Sequence, residues 1–206
     1  MEYIDLGYGL KFATCNLGAE KPEDYGMYFQ WGSIEGELVE GSTPSKVYNF
    51  DNCPYIVGKG IKWSIQSIDK YNNGVYEGTV DNKIVLDASD DDATQMLGSQ
   101  WRLPTKDELE MLIDINKFDS EWIQINGVNG RRFTSKENGN SIFIPASGWC
   151  NDSSLKNRGE DCSLWSSSLD EDYSGDAWYL RFHSDDWYMT GYSRCNGCSI
   201  RPVFIG

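Results

Sequence analysis

A chain of 206 residues with 32 acidic and 18 basic side chains, a net charge of −14, has no basic patch with which to grip a phosphate backbone, so direct nucleic-acid binding is not expected. No run of about 18 apolar residues is present to insert into a membrane, and the opening MEYIDLGYGL has neither the basic nor the apolar region of a secretory signal. The length suits one domain over residues 1–206, and eight Trp, twelve Tyr and 21 Gly suit a loop-rich domain whose core is built from aromatics.

In chain order, residues 3–18 alternate well enough for one or two strands with a glycine turn between them. Tyr28-Phe29-Gln30-Trp31-Gly32 reads as core. Residues 33–80 read as long ordered loops with short strands, because Tyr48, Phe50, Tyr55, Trp63 and Tyr71 need somewhere to be buried. Asp90-Asp91-Asp92 followed by Gly98 predicts a short helix, acidic at its start and capped by glycine. Thr105 with Glu108 three residues on is a capping box. Leu109, Leu112 and Ile113 continue as the apolar stripe of a helix reaching about Asn116. Residues 122–134 carry two Asn-Gly hairpin signals, at 126–127 and 129–130, and Asn138-Gly139 turns the chain again into the short strand 141–146. Residues 147–163 read as a surface loop.

The stretch 164–203 separates into two layers. Trp165, Trp178, Leu180, Phe182, Trp187, Met189, Ile200 and Val203 form an apolar layer with core spacing. Tyr179, Arg181, His183, Asp185, Asp186, Tyr188, Thr190, Tyr192, Ser193 and Asn196 form a mixed layer. Alternation predicts two half-buried strands joined by a turn at Ser184-Asp185-Asp186, with the mixed set facing out. Tyr with small polar residues is the composition of a recognition surface; an ordinary solvated sheet face accounts for it equally.

The six cysteines are 15, 53, 150, 162, 195 and 198. Cys15 reads as a small buried hydrophobe, and Cys150 and Cys162 could pair across a loop. Cys195-Asn-Gly-Cys198 invites a zinc or redox reading, but a structural zinc site wants a second such pair and His183 is the sole histidine. Asp170, Glu171, Asp172 and Asp176 share one loop and could hold calcium; loop solubility explains them equally, and no metal or cofactor is expected.

Several blocks together carry a resemblance. They are Asp5-Leu6-Gly7, Ala13-Thr14-Cys15-Asn16-Leu17-Gly18-Ala19, Tyr25-Gly26 with Trp31-Gly32, Trp101-Arg102-Leu103-Pro104-Thr105, Asn138-Gly139-Asn140-Ser141-Ile142-Phe143, Trp165-Ser166-Ser167-Ser168, Ala177-Trp178-Tyr179-Leu180 and Arg201-Pro202-Val203. Their order and spacing resemble the Fibrobacter succinogenes major paralogous domain. That domain is similar in turn to the C-type-lectin-like group containing formylglycine-generating enzyme and the variable proteins of diversity-generating retroelements. The resemblance implies an α+β C-type-lectin-like fold of short antiparallel strands, one or two helices and long ordered loops. It also implies that adenine-directed rewriting of codons yields the residue types found at 181, 183, 185, 186, 188, 190, 192, 193, 195, 196 and 198.

The functional expectation is a non-catalytic receptor-binding or adhesion module, on a cell surface or a phage virion, recognising a protein or glycan of another cell. Its ligand-binding set is Tyr179, Arg181, His183, Asp185, Asp186, Tyr188, Thr190, Tyr192, Ser193, Cys195, Asn196 and Cys198. Two alternatives stand beside it. One is a copper oxidase like formylglycine-generating enzyme, using Cys195 and Cys198. The other is a structural surface or pilus-tip domain. A serine hydrolase is disfavoured, since Ser166-Ser167-Ser168 lacks a nucleophile-elbow context.

Overall fold

The computed structural model describes residues 1–57 and 67–206; Trp63 lies outside the described residues. The chain opens with β1 (Tyr3–Asp5) and β2 (Lys11–Ala13), the hairpin expected from residues 3–18. Gly7, Tyr8 and Gly9 all take positive φ in its turn. β3 (Ile56–Val57), β4 (Ser67–Ile68) and β5 (Glu77–Gly78) form a small sheet in the loop-rich region. Then come α1 (Asp92–Leu97), β6 (Trp101–Arg102) and α2 (Lys106–Leu112). The second half is almost all strand: β7 (Phe118–Ile125), β8 (Val128–Ser135), β9 (Ser141–Pro145), β10 (Trp149–Asn151), β11 (Ser154–Lys156), β12 (Asp161–Leu169), β13 (Asp176–His183), β14 (Trp187–Ser193) and β15 (Val203–Phe204). No helix among the described residues is long and apolar enough to cross a membrane.

This architecture corrects the expected α+β C-type-lectin-like fold. Among the described residues the chain is 39% strand and 8% helix, arranged as several small, mostly antiparallel sheets with two short α-helices. The helix signals in the sequence are real but brief. Thr105 and Glu108 close the capping box, and Asp91 caps α1 through Thr94 N. α2 stops at Leu112 and does not reach Asn116, because the Asp114 carboxylate captures the Asn116 N–H at 2.9 Å and the chain turns into β7.

The second half obeys hairpin chemistry more closely. Asn126 and Gly127 take φ of 49° and 87°, the geometry of a two-residue turn between β7 and β8. The other Asn-Gly, at 129–130, lies inside β8. Its glycine is there for space: a Cβ on Gly130 would meet Ile144 O at 2.4 Å and the Phe143 ring. The expected surface loop at 147–163 instead holds β10, β11 and the start of β12. Small side chains let β12 run through the interior, with Ser163, Ser166 and Ser167 buried among Leu164 and Trp165.

β12, β13 and β14 form one antiparallel sheet in that order, with β14 at its edge. Two cores flank it. Leu164, Leu180 and Phe182 pack with α2 residues Leu109 and Leu112 and with Phe133 and Ile144. Trp165, Tyr179 and Ala177 pack with Trp31, Phe29, Tyr71 and Ile200. Buried Arg201 joins distant segments, donating to Asn16 Oδ1 (2.9 Å), Ala13 O (3.1 Å) and Phe143 O (2.9 Å). β15 then pairs between β2 and β6, so both ends of the chain close one sheet.

Candidate functional site

The register of β13 on β14 decides which side chains share a face. Tyr179 lies opposite Thr190, Arg181 opposite Tyr188 and Ala177 opposite Tyr192; Leu180 lies opposite Met189 and Phe182 opposite Trp187. Side chains opposite one another point the same way. The strand phase expected from sequence is therefore the phase observed. The connecting turn is set by His183 N donating to Asp186 O at 2.9 Å. Arg131 braces it from β8, donating to His183 O (2.7 Å) and Ser184 O (3.0 Å) while its guanidinium stacks 4.3 Å from the Trp187 ring.

Only part of the mixed face is open. Arg181, His183, Thr190, Tyr192 and Ser193 are partly exposed, and Asp185, Asp186 and Tyr188 are exposed. Four members of the expected binding set are buried and cannot be displayed: Tyr179, Cys195, Asn196 and Cys198. The chain around residues 28–31 and 150 covers that end of the sheet. Gln30 Nε2 donates to Cys195 O at 2.8 Å, Cys198 N donates to Phe29 O at 3.0 Å, and Gly197 N donates to Cys150 O at 2.9 Å. Asn196 Oδ1 accepts from Asn151 Nδ2 at 2.9 Å.

The CxxC thiols do not converge either. Cys195 packs with Cys53 and Ile56, whereas Cys198 packs in the aromatic core with Trp31 and Ile200. Cys150 and Cys162, the other candidate pair, also lie in separate clusters, and all six cysteines are free thiols. Burial pushes the thiols of Cys150 and Cys162 up to about 12, which disfavours the thiolate that metal binding or nucleophilic attack would need.

Two residues missed in the sequence complete the open face. Trp149, in the segment read as loop, makes an edge contact with Tyr192 (5.3 Å between ring centroids); Tyr192 touches Tyr179 (5.5 Å), and Tyr179 touches Trp165 (5.8 Å). Asp161, on β12, is bonded by Arg181 Nη2 at 2.9 Å and Asn157 Nδ2 at 2.9 Å. Burial alone would lower the Arg181 value, and the Asp161 bond more than offsets it. The face thus carries aromatic edges, a hydroxyl and a guanidinium already oriented by a buried carboxylate, a set that combines contact area with directional hydrogen bonds.

Arg181 is consequently structural as well as displayed. The Asp161 side chain is 5% exposed and that of Arg181 33%. Arg181→Ala strands a buried carboxylate, and the expected loss is about 1–3 kcal/mol, below that of a fully buried pair because water reaches the arginine. Urea unfolding at neutral pH checks this, and Asp161→Asn in the same background recovers most of the loss.

On the opposite side of β13, Trp178 lines a cleft of about 440 Å³ with Ile84, Val85, Lys106 and residues 168–172 at the end of β12 and beyond. The sequence placed Trp178 in the core layer. It is half-buried instead, with Lys106 Nζ 3.6 Å from its ring centroid. Its neighbour across the ladder is Gly191, whose missing side chain makes room for the Asp170 carboxylate. Asp176 is pushed up to about 6 by burial and by Asp170. Among the described residues no group of three or more His, Cys, Asp or Glu converges on a point that could hold a metal ion.

No protein-family model, curated protein or solved structure matches this chain.

Proposed function

We propose that the chain is a non-catalytic recognition module that binds a protein or glycan on another surface through the open part of the β13–β14 face. The observation that supports it is the juxtaposition of Tyr188, Thr190 and Tyr192 with Arg181 and Trp149 on one side of an edge strand whose other side is fixed by the core. Tyrosines held by a rigid sheet give contact area at low entropic cost, and the Arg181–Asp161 pair presents its donors already aimed. Rewriting of codons, on this reading, is tolerated at His183, Asp185, Asp186, Tyr188, Thr190 and Ser193, where side chains reach solvent, and is constrained at Arg181 by Asp161 and at Tyr192 by its ring contacts. It is not tolerated at Tyr179, Cys195, Asn196 or Cys198, which pack inside.

The test is a binding screen of the labelled protein on a glycan array and on displayed cell-surface proteins, repeated with Tyr188→Ala. Tyr188 is 37% exposed and belongs to neither core, so its loss is expected to leave the melting temperature within ~2 °C while weakening a genuine partner ~10-fold or more. A partner that binds Tyr188→Ala, Thr190→Ala and Trp149→Ala as well as the parent chain overturns the assignment of this face. Tyr192 is a poorer probe, because its ring packs on Trp149 and Tyr179 and its removal disturbs the fold.

A further inference from the structure

We infer that Cys53 and Cys195 are a disulfide-forming pair, joined when the chain folds in an oxidising environment. The six cysteines are distributed so that only these two share a hydrophobic cluster. Both are buried there with Ile56 while Phe50 packs at the margin. The other four have different packing neighbours. Cys15 Sγ lies 3.6 Å from the sulfur of Met1, Cys162 Sγ lies 3.5 Å from Ser147 Oγ, Cys150 packs with Tyr28 and Tyr48, and Cys198 packs with Trp31 and Ile200.

A second observation comes from Arg194. It is fully buried and makes no ion pair among the described residues. Its two terminal nitrogens donate to the carbonyls of Lys70, Tyr71 and Ser174, its plane stacks 5.0 Å from the Trp31 centroid, and Nε has no partner. Arg194 directly precedes Cys195, yet burial and neighbouring Cys53 hold the Cys195 thiol well above its ordinary value. The thiolate is the species that attacks a disulfide, so exchange waits until the chain opens and the thiol reaches water.

The step balances with a small-molecule disulfide as oxidant. One protein thiol loses its proton and attacks the oxidant's sulfur, breaking that S–S bond and releasing one small thiolate. The second protein thiolate then attacks the mixed disulfide at the protein sulfur, forming the Cys53–Cys195 bond and expelling the second small thiolate. The two protons leave with the released thiols, so the protein loses two hydrogens and the oxidant is reduced. Because both sulfurs are buried in the folded chain, exchange proceeds during folding or local opening. The bond ties the 50–57 segment to the loop after β14, which is already held by Gln30 through Cys195 O and by Trp31 N through Arg194 O.

The experiment refolds the full chain in a mixture of oxidised and reduced glutathione, then alkylates remaining thiols in denaturant and maps the peptides. The expected product is two hydrogens lighter, carries a Cys53–Cys195 crosslinked peptide, and melts ~5–15 °C above the reduced protein. Cys53→Ser and Cys195→Ser each remove the crosslink and the added thermal stability, whereas Cys162→Ser keeps both. Alkylation of all six thiols in the refolded wild-type chain overturns the inference, as does a crosslink joining any other pair, such as Cys150 with Cys198. The peptide map of the wild-type chain decides the matter even where a serine variant fails to fold.

Discussion

Trp165→Ala lowers stability by about 3–5 kcal/mol, which for a domain of this size is a fall of about 6–20 °C in melting temperature. Trp165 is fully buried on β12, with Trp31, Leu169 and Ile200 in the same cluster. Truncation leaves a cavity that a closely packed sheet cannot close. The indole N–H is a smaller part of the effect. It donates to Phe29 O at 2.9 Å, but that carbonyl also accepts from Cys198 N at 3.0 Å and stays satisfied when the indole is gone. Trp165→Phe is therefore expected to lose only about a third to a half as much. Urea unfolding of the two variants separates the contributions, and equal losses would show that the hydrogen bond, not the volume, matters. The change also reaches the proposed binding face. Trp165 supports Tyr179, Tyr179 supports Tyr192, and Tyr192 supports Trp149 through successive ring contacts, so a hole beneath the first loosens the outermost ring.

That chain of contacts marks where the sequence was legible and where it was not. Period-two alternation through Leu180, Phe182, Trp187 and Met189 revealed the strand phase, because a sheet with one face in the core cannot slip by one residue without inverting every side chain. Depth of burial was not legible. Tyr179, Cys195, Asn196 and Cys198 are covered by segments near residues 30 and 150, and nothing local in 164–203 encodes that distant cover. Only the first residues of β12, 161–163, fall in the stretch that reads as loop; further along, the small volume of the serines admits a strand between two cores, with Ser166 Oγ satisfied by Trp178 O at 2.7 Å. The cleft beside Trp178 left one usable trace. Gly191 falls on the inward row opposite Trp178, and a glycine there leaves space that a core strand would normally fill. The expected fold class rested on the resemblance and not on local signals: α1 ends at Gly98 as its sequence implies, and only α2 is shorter than its apolar stripe suggests. The capping box at Thr105 sets where α2 begins, whereas its end is set by Asp114 and by the demands of β7.

Asp92→Asn is expected to stabilise the protein at neutral pH, with a gain that vanishes as the pH falls to about 4. Three consecutive aspartates at the head of α1 have three different fates. Asp90 is held below the usual carboxylate range because hydrogen bonds from Lys70 and Tyr71 outweigh its burial. Asp91 caps the helix, accepting from Thr94 N and Leu103 N at 2.9 Å each. Asp92 is 1% exposed, neither of its carboxylate oxygens has a hydrogen-bond partner among the described residues, and burial together with neighbouring Asp91 pushes it well above the ordinary value. A group raised in the folded state contributes stability that is fully present below its unfolded pKa, about 3.9, and is lost as pH rises through the folded value. Across that window each pH unit costs the wild-type chain ~1.4 kcal/mol that the uncharged amide does not lose. The buried amide carries its own desolvation cost, but that cost is independent of pH, so the slope and not the offset is diagnostic. Asp176→Asn gives a smaller version confined to roughly pH 4–6, since its folded value is only about 6. Urea unfolding of wild type and Asp92→Asn at half-unit steps from pH 4 to 8 measures the difference directly. A gap that stays constant over this range would mean that Asp92 is paired and ionised in the folded chain, and that Lys46, the cation whose field reaches it, neutralises it.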